Sequence, residues 1–98
     1  MLESIYEEAL CHEFDLRGIR YSRQLEIDVI YKDKVIKGQR IDILVEEEVI
    51  VEIKSLSKLP DVSTAQILSY LKATGLKRGL LINFGAKMLR EGVKRISL

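Results

Sequence analysis

The stretch RIDILVEEEVIVEIK, residues 40 to 54, decides how this chain is read. Two runs rich in Ile, Val and Leu flank a short acidic knot, the pattern of a β-hairpin with strands near 40–45 and 49–54. Folding about Glu47 pairs residues whose numbers sum to 94, so Asp42 meets Glu52, Leu44 meets Ile50 and Arg40 meets Lys54. Side chains alternate between faces along a strand. Ile41, Ile43, Val45, Val49, Val51 and Ile53 are therefore expected on one branched apolar face, and Arg40, Asp42, Leu44, Ile50, Glu52 and Lys54 on the other.

Two acids directly opposite one another destabilise a sheet unless something neutralises them. One reading is a charge ladder in which Arg40 and Lys54 lie diagonally beside Asp42 and Glu52 as screened surface pairs, worth about 0–1 kcal/mol each. The other is a divalent cation such as Mg²⁺ held between the two carboxylates, since hard cations take carboxylate, water and phosphate oxygens. Leu44 and Ile50 imply that another element covers this face too. Buried acids that face each other must shift their pKa or bind a cation.

Ninety-eight residues, 47% hydrophobic and 32% charged with one proline, describe a single domain over residues 1–98 with room for one modest core. No run approaches the roughly 18 consecutive apolar residues of a membrane span, and the acidic N-terminal segment is unlike a secretory signal, so a cytoplasmic location is expected. The lone Cys11 has no Cys or His neighbours of a zinc site and reads as a surface or half-buried thiol. A net charge of +1 does not mark a bulk nucleic-acid binder, although YKDKVIKGQR and AKMLREGVKR gather basic residues locally.

Around the hairpin, LESIYEEALCHEFDLRG has helical spacing, with Leu2, Ile5, Tyr6, Ala9, Leu10 and Phe14 on one arc and Gly18 as a stop. Glu3 and Glu13 fall inside that arc as candidate inward carboxylates, and His12 at its margin reads as structural or solvated. RQLEIDVIY, 23–31, alternates as a strand, KDK turns, and a strand from Val35, bent at Gly38, leads into the hairpin to complete a three-stranded meander. Residues 62–74 read as a helix between Pro60-Asp61 and Gly75, with Val62, Ala65, Leu68 and Leu71 as its buried stripe. Gln66 and Tyr70 stand one turn apart on a neighbouring face, able to reach a common ligand. RGLLINFG is a buried strand, AKMLREG a short helical turn and KRISL a last strand. The expected fold is α/β with a mixed sheet, in the order α-β-β-β-α-β-(short α)-β.

Asp42, then Glu52, Ile53 and Lys54, form a D…ExK constellation on this element order and resemble the PD-(D/E)XK nuclease superfamily. LESIYEEAL, RIDILVEEEVIVEIKS, AQILSYLKATGLKRGLLINFG and KRISL together are similar to its GxxExxY family across nearly the whole chain. The resemblance implies a restriction-endonuclease-like core and hydrolysis of nucleic-acid phosphodiesters, DNA or RNA, with Mg²⁺ or Mn²⁺. It implies Asp42, Glu52 and the Ile53 carbonyl as metal ligands, Lys54 as the group that positions the attacking water, and Glu3 near the metal directly or through water. Gln66 and Tyr70 match a QxxxY feature that supports the site or touches the phosphate backbone. Ile41 stands where the superfamily label has Pro, and the Gly of GxxExxY falls just before Met1, which implies a shortened first helix. A catalytically inactive module on the same fold, binding a protein or nucleic acid, is the alternative. A homodimer or a helper protein is the expected source of further specificity.

Overall fold

Alternation, turn residues and two helical periods build a five-stranded sheet with a helix on each face. The structure, a computed structural model, describes residues 2–98, with the side chains of Leu2, Leu89 and Arg90 outside the described set. The elements run α1 (Leu2–Leu16), β1 (Tyr21–Tyr31), β2 (Lys34–Val45), β3 (Val49–Lys54), α2 (Val62–Thr74), β4 (Arg78–Asn83), α3 (Leu89–Gly92) and β5 (Val93–Ser97). The sheet order is β1-β2-β3-β4-β5, antiparallel except for the β3–β4 pair, which is parallel because α2 forms the crossover between them. The expected element order holds throughout.

The hairpin register is the expected one, with Leu44 opposite Ile50, Ile43 opposite Val51 and Val45 opposite Val49. The ladder stops there, one rung short of Asp42 and Glu52. Beyond it, β2 pairs only with β1, and that two-stranded arm carries a bulge between Ile27 and Val29 near Gly38, whose φ is 87°.

The two sheet faces have separate cores. On the α2 face, Ile41, Ile50 and Leu81 pack with Ile67, Tyr70, Leu71 and Ile96, joined by Leu44. On the α1 face, Ile43, Val51 and Ile53 pack with Cys11, Tyr6, Leu10 and Phe14. This corrects the expected single face: Ile41 lies across the sheet from Ile43, because strict alternation is broken at Asp42, between them.

Both helices are rotated from their expected faces. In α2, Val62 and Ala65 are exposed, and Ser63, Ile67, Tyr70 and Leu71 form the buried stripe. Gly79 makes this seating possible, since a Cβ there would stand 2.7 Å from the Ile67 Cγ2. In α1 the buried side runs through Tyr6, Glu7, Leu10, Cys11 and Phe14, while Ile5 and Ala9 are exposed. Leu2, expected on that arc, has its side chain outside the described residues. Glu3 and Glu13, the candidate inward acids, are both exposed; Glu3 lies a turn before Tyr6, the first described α1 side chain that packs on the sheet core. Cys11 is buried rather than surface-lying, and burial raises its thiol pKa. His12 is exposed.

Candidate active site

The last rung of β2 and β3 is where backbone pairing gives way to side-chain chemistry. The Asp42 N–H donates to Glu52 Oε2 at 2.9 Å, and the Ile53 N–H donates to Asp42 Oδ2 at 2.8 Å. Each carboxyl thus replaces a missing strand partner for the other segment's backbone, and this fixes both side chains at the point where the strands part.

Glu52 is 2% exposed. Burial and then the negative charge of Asp42 push its pKa up to about 8, against smaller opposing pulls from the Asp42 N–H it accepts and from Lys54. No ion pair among the described residues includes either acid, which removes the charge-ladder reading. Arg40 is exposed.

Lys54 follows two positions after Glu52 and so shares its face. Its amine donates to Gln66 Oε1 at 3.4 Å, Gln66 Nε2 donates to the Tyr70 hydroxyl at 3.0 Å, and that hydroxyl donates to Gln39 Oε1 at 3.4 Å. Burial and the nearby Glu52 charge raise the Tyr70 pKa. The residues singled out on α2 therefore meet Lys54 in one polar chain beside the acid pair.

Two supporting residues escaped the sequence reading. Gln39 shares the α2 face with Ile41, a placement hidden by the broken alternation. Asn83, 4% exposed at the end of β4, accepts from the Leu56 and Gly85 N–H groups at 2.9 and 3.1 Å and donates to the Leu56 carbonyl at 2.9 Å. The Phe84 N–H donates to the Lys54 carbonyl at 2.8 Å, so the strand end bearing the lysine is anchored from the neighbouring strand. The signal for Asn83 was a single amide ending the apolar run LLIN.

The donor set suits a hard divalent cation: two carboxylates with one oxygen each engaged by a backbone N–H, and a strand carbonyl at Ile53 between Glu52 and Lys54. No third His, Cys, Asp or Glu completes a metal-binding group among the described residues, and Glu3 is not brought to the pair. The α1 helix carrying it packs on the opposite face, where Tyr6 stacks on Phe84 with ring centroids 4.3 Å apart.

The family model of the PD-(D/E)XK nuclease superfamily matches residues 1–96. The chain belongs to this superfamily. As a PD-(D/E)XK protein it is also similar in fold to the crystal structure of SSO0001, with a TM-score of 0.72 and 21% identity over 98% of this chain and 50% of that one. The chain spans about half the length of that protein. No curated protein matches it. The mixed sheet between α1 and α2 is consistent with the restriction-endonuclease-like form of the PD-(D/E)XK fold. Among the described residues, no helix is long and apolar enough to cross a membrane.

Proposed function

We propose that this PD-(D/E)XK protein is a divalent-metal-dependent nuclease of the GxxExxY group, acting on nucleic-acid phosphodiesters in the cytoplasm. The observation that carries the reading is the Asp42–Glu52 pair: two carboxyls held together by backbone N–H groups, one fully buried, with no Arg or Lys in ion-pair contact among the described residues. Without a cation the pair is relieved by Glu52 retaining a proton, which a bound divalent ion would make unnecessary.

Asp42, Glu52 and the Ile53 carbonyl would hold Mg²⁺ or Mn²⁺, which supplies a Lewis acid for a phosphate oxygen and acidifies water. Lys54 supplies positive charge for the negative charge that develops on the phosphoryl oxygens, and its amine orients the attacking water. Gln66 and Tyr70 hold that amine in place and present amide and hydroxyl groups to the phosphate backbone. Glu3, exposed on the first turn of α1, acts at most through water.

The exposure of Glu3 and the lack of a third acid at the pair among the described residues favour a second reading, an inactive module that binds nucleic acid or a protein partner without cutting. Calorimetric titration of Mn²⁺ into wild type, Asp42→Ala/Glu52→Ala and Lys54→Ala separates the two, together with cleavage assays on single- and double-stranded DNA and RNA. The nuclease reading expects binding by wild type and Lys54→Ala only, and cleavage by wild type only. Metal binding without cleavage of any substrate favours the module, and equal titrations for wild type and the double variant remove the metal site. Light scattering of wild type tests the accompanying expectation of a homodimer.

A further inference from the structure

Gln24 and Asp42 occupy the same rung of β1 and β2, and that rung is missing from a ladder that is otherwise regular apart from the bulge between Ile27 and Val29. Arg23 opposes Ile43 and Leu25 opposes Ile41, yet no pairing joins the residues between them. Both strands change face at this rung. Ile43 belongs to the α1 core and Ile41 to the α2 core. On β1, Arg23 and Gln24 are consecutive and still reach the same carboxylate: Arg23 Nε donates to Glu7 Oε2 at 2.9 Å and Gln24 Nε2 to Glu7 Oε1 at 3.0 Å. A regular strand would send them to opposite faces.

The cause lies in the backbone. Gln24 has φ 51°, and among the described residues it is the one non-glycine with positive φ inside a strand; Lys32, Glu46 and Glu47 lie in turns. Side chains with a Cβ resist this left-handed region, so something must hold Gln24 there. Glu7 is the candidate on the page: a glutamate 6% exposed on α1 that grips the Gln24 amide with both oxygens, at 3.0 and 3.3 Å. With Gln24 turned, Asp42 opposite it loses its strand partner. Its N–H then goes to Glu52 and its carboxyl to the Ile53 N–H.

We infer that Glu7 and Gln24 are positioning residues for the metal centre: Glu7 latches Gln24 in a left-handed conformation, and the resulting break in β2 turns the Asp42 carboxyl towards Glu52. The inference rests on the metal-site reading for its functional consequence, but the latch itself acts on the Ile53–Asp42 hydrogen bond, which is measurable without metal.

The test compares wild type, Glu7→Ala, Gln24→Val and the double variant Glu7→Ala/Gln24→Gly by amide hydrogen exchange and Mn²⁺ titration. Without the latch, Glu7→Ala and Gln24→Val should each lose about tenfold in protection at the Ile53 amide and about tenfold in Mn²⁺ affinity, with the α2 amides unchanged. Glycine reaches positive φ without help, so Glu7→Ala/Gln24→Gly should recover both. Unchanged Ile53 protection in Glu7→Ala, uniform loss across α2 and β3, or no recovery with glycine would overturn the latch. If wild type binds no Mn²⁺, the nuclease reading falls while the Ile53 exchange comparison still decides the latch.

Discussion

Glu7 and Glu52 are both glutamates enclosed against the sheet, 6% and 2% exposed, and their surroundings are opposite. Glu7, on the α1 face, is answered by a guanidinium and an amide. Glu52, on the α2 face, is answered by one backbone N–H and confronted by a second carboxyl. Burial of an acid therefore does not by itself mark a candidate site; it is the second carboxyl facing Glu52 that singles it out. The first glutamate joins a helix to a strand. The second has no ion-pair partner among the described residues and feels only the weaker pull of Lys54.

The contrast is sharpest in activity. On the proposed nuclease reading, Glu52→Gln should cut metal-dependent cleavage by about a thousandfold, the scale of losing transition-state charge stabilisation, while leaving the melting temperature unchanged or higher because an amide accepts the Asp42 N–H without needing a proton. Melting well below wild type would show that Glu52, like Glu7, is a structural acid. The pH dependence is next in size. Folded Glu52 keeps its proton up to about 8, whereas an unfolded glutamate releases it near 4.5, so between those values the folded state binds more protons. Metal-free stability is thus fully present below pH 4.5 and declines as pH rises towards 8, by a total on the order of a few kcal/mol. Urea titrations from pH 4.5 to 8 should show this slope in wild type and its loss in Glu52→Gln, and Mn²⁺ should restore stability at the upper end.

On the other face, Arg23→Ala leaves Glu7 buried with only Gln24 beside it. A loss of about 2 kcal/mol in urea denaturation is expected, below the full cost for an enclosed pair because Arg23 is a third exposed. A loss under half of this would mean that the Glu7 site tolerates an unpaired charge as well as Glu52 does. Gly75→Ala is the control that touches neither acid: at φ 78° it should cost about 1 kcal/mol and leave Mn²⁺ binding alone.

Much of this was legible in the sequence. The acidic knot fixed a register in which Leu44 meets Ile50, and Pro60, Asp61 and Gly75 bracketed α2 at its observed limits. Asp42, Glu52, Lys54, Gln66 and Tyr70 were all visible as types at a spacing, and the fold brings them together. Ile41 was misplaced because alternation assumes an unbroken strand, and the break is tied through Gln24 to a helix residue well before it in the chain: Glu7 reads as one more polar residue until Arg23 and Gln24 lie beneath it. The α2 stripe was misread for a related reason. Its rotation depends on the missing side chain at Gly79, a fact about a different element.

The Asn83 amide has a further consequence for how this chain can vary. Its three hydrogen bonds grip the backbone at Leu56 and Gly85, and Gly85 sits so close that an added Cβ would fall 2.5 Å from the Leu56 nitrogen. The clasp isolates the lysine-bearing strand end from the connector that follows it. Changes in length or composition at residues 57–61 should therefore leave the Lys54 end of β3 in place, because Leu56 is already tied to β4 before that segment begins.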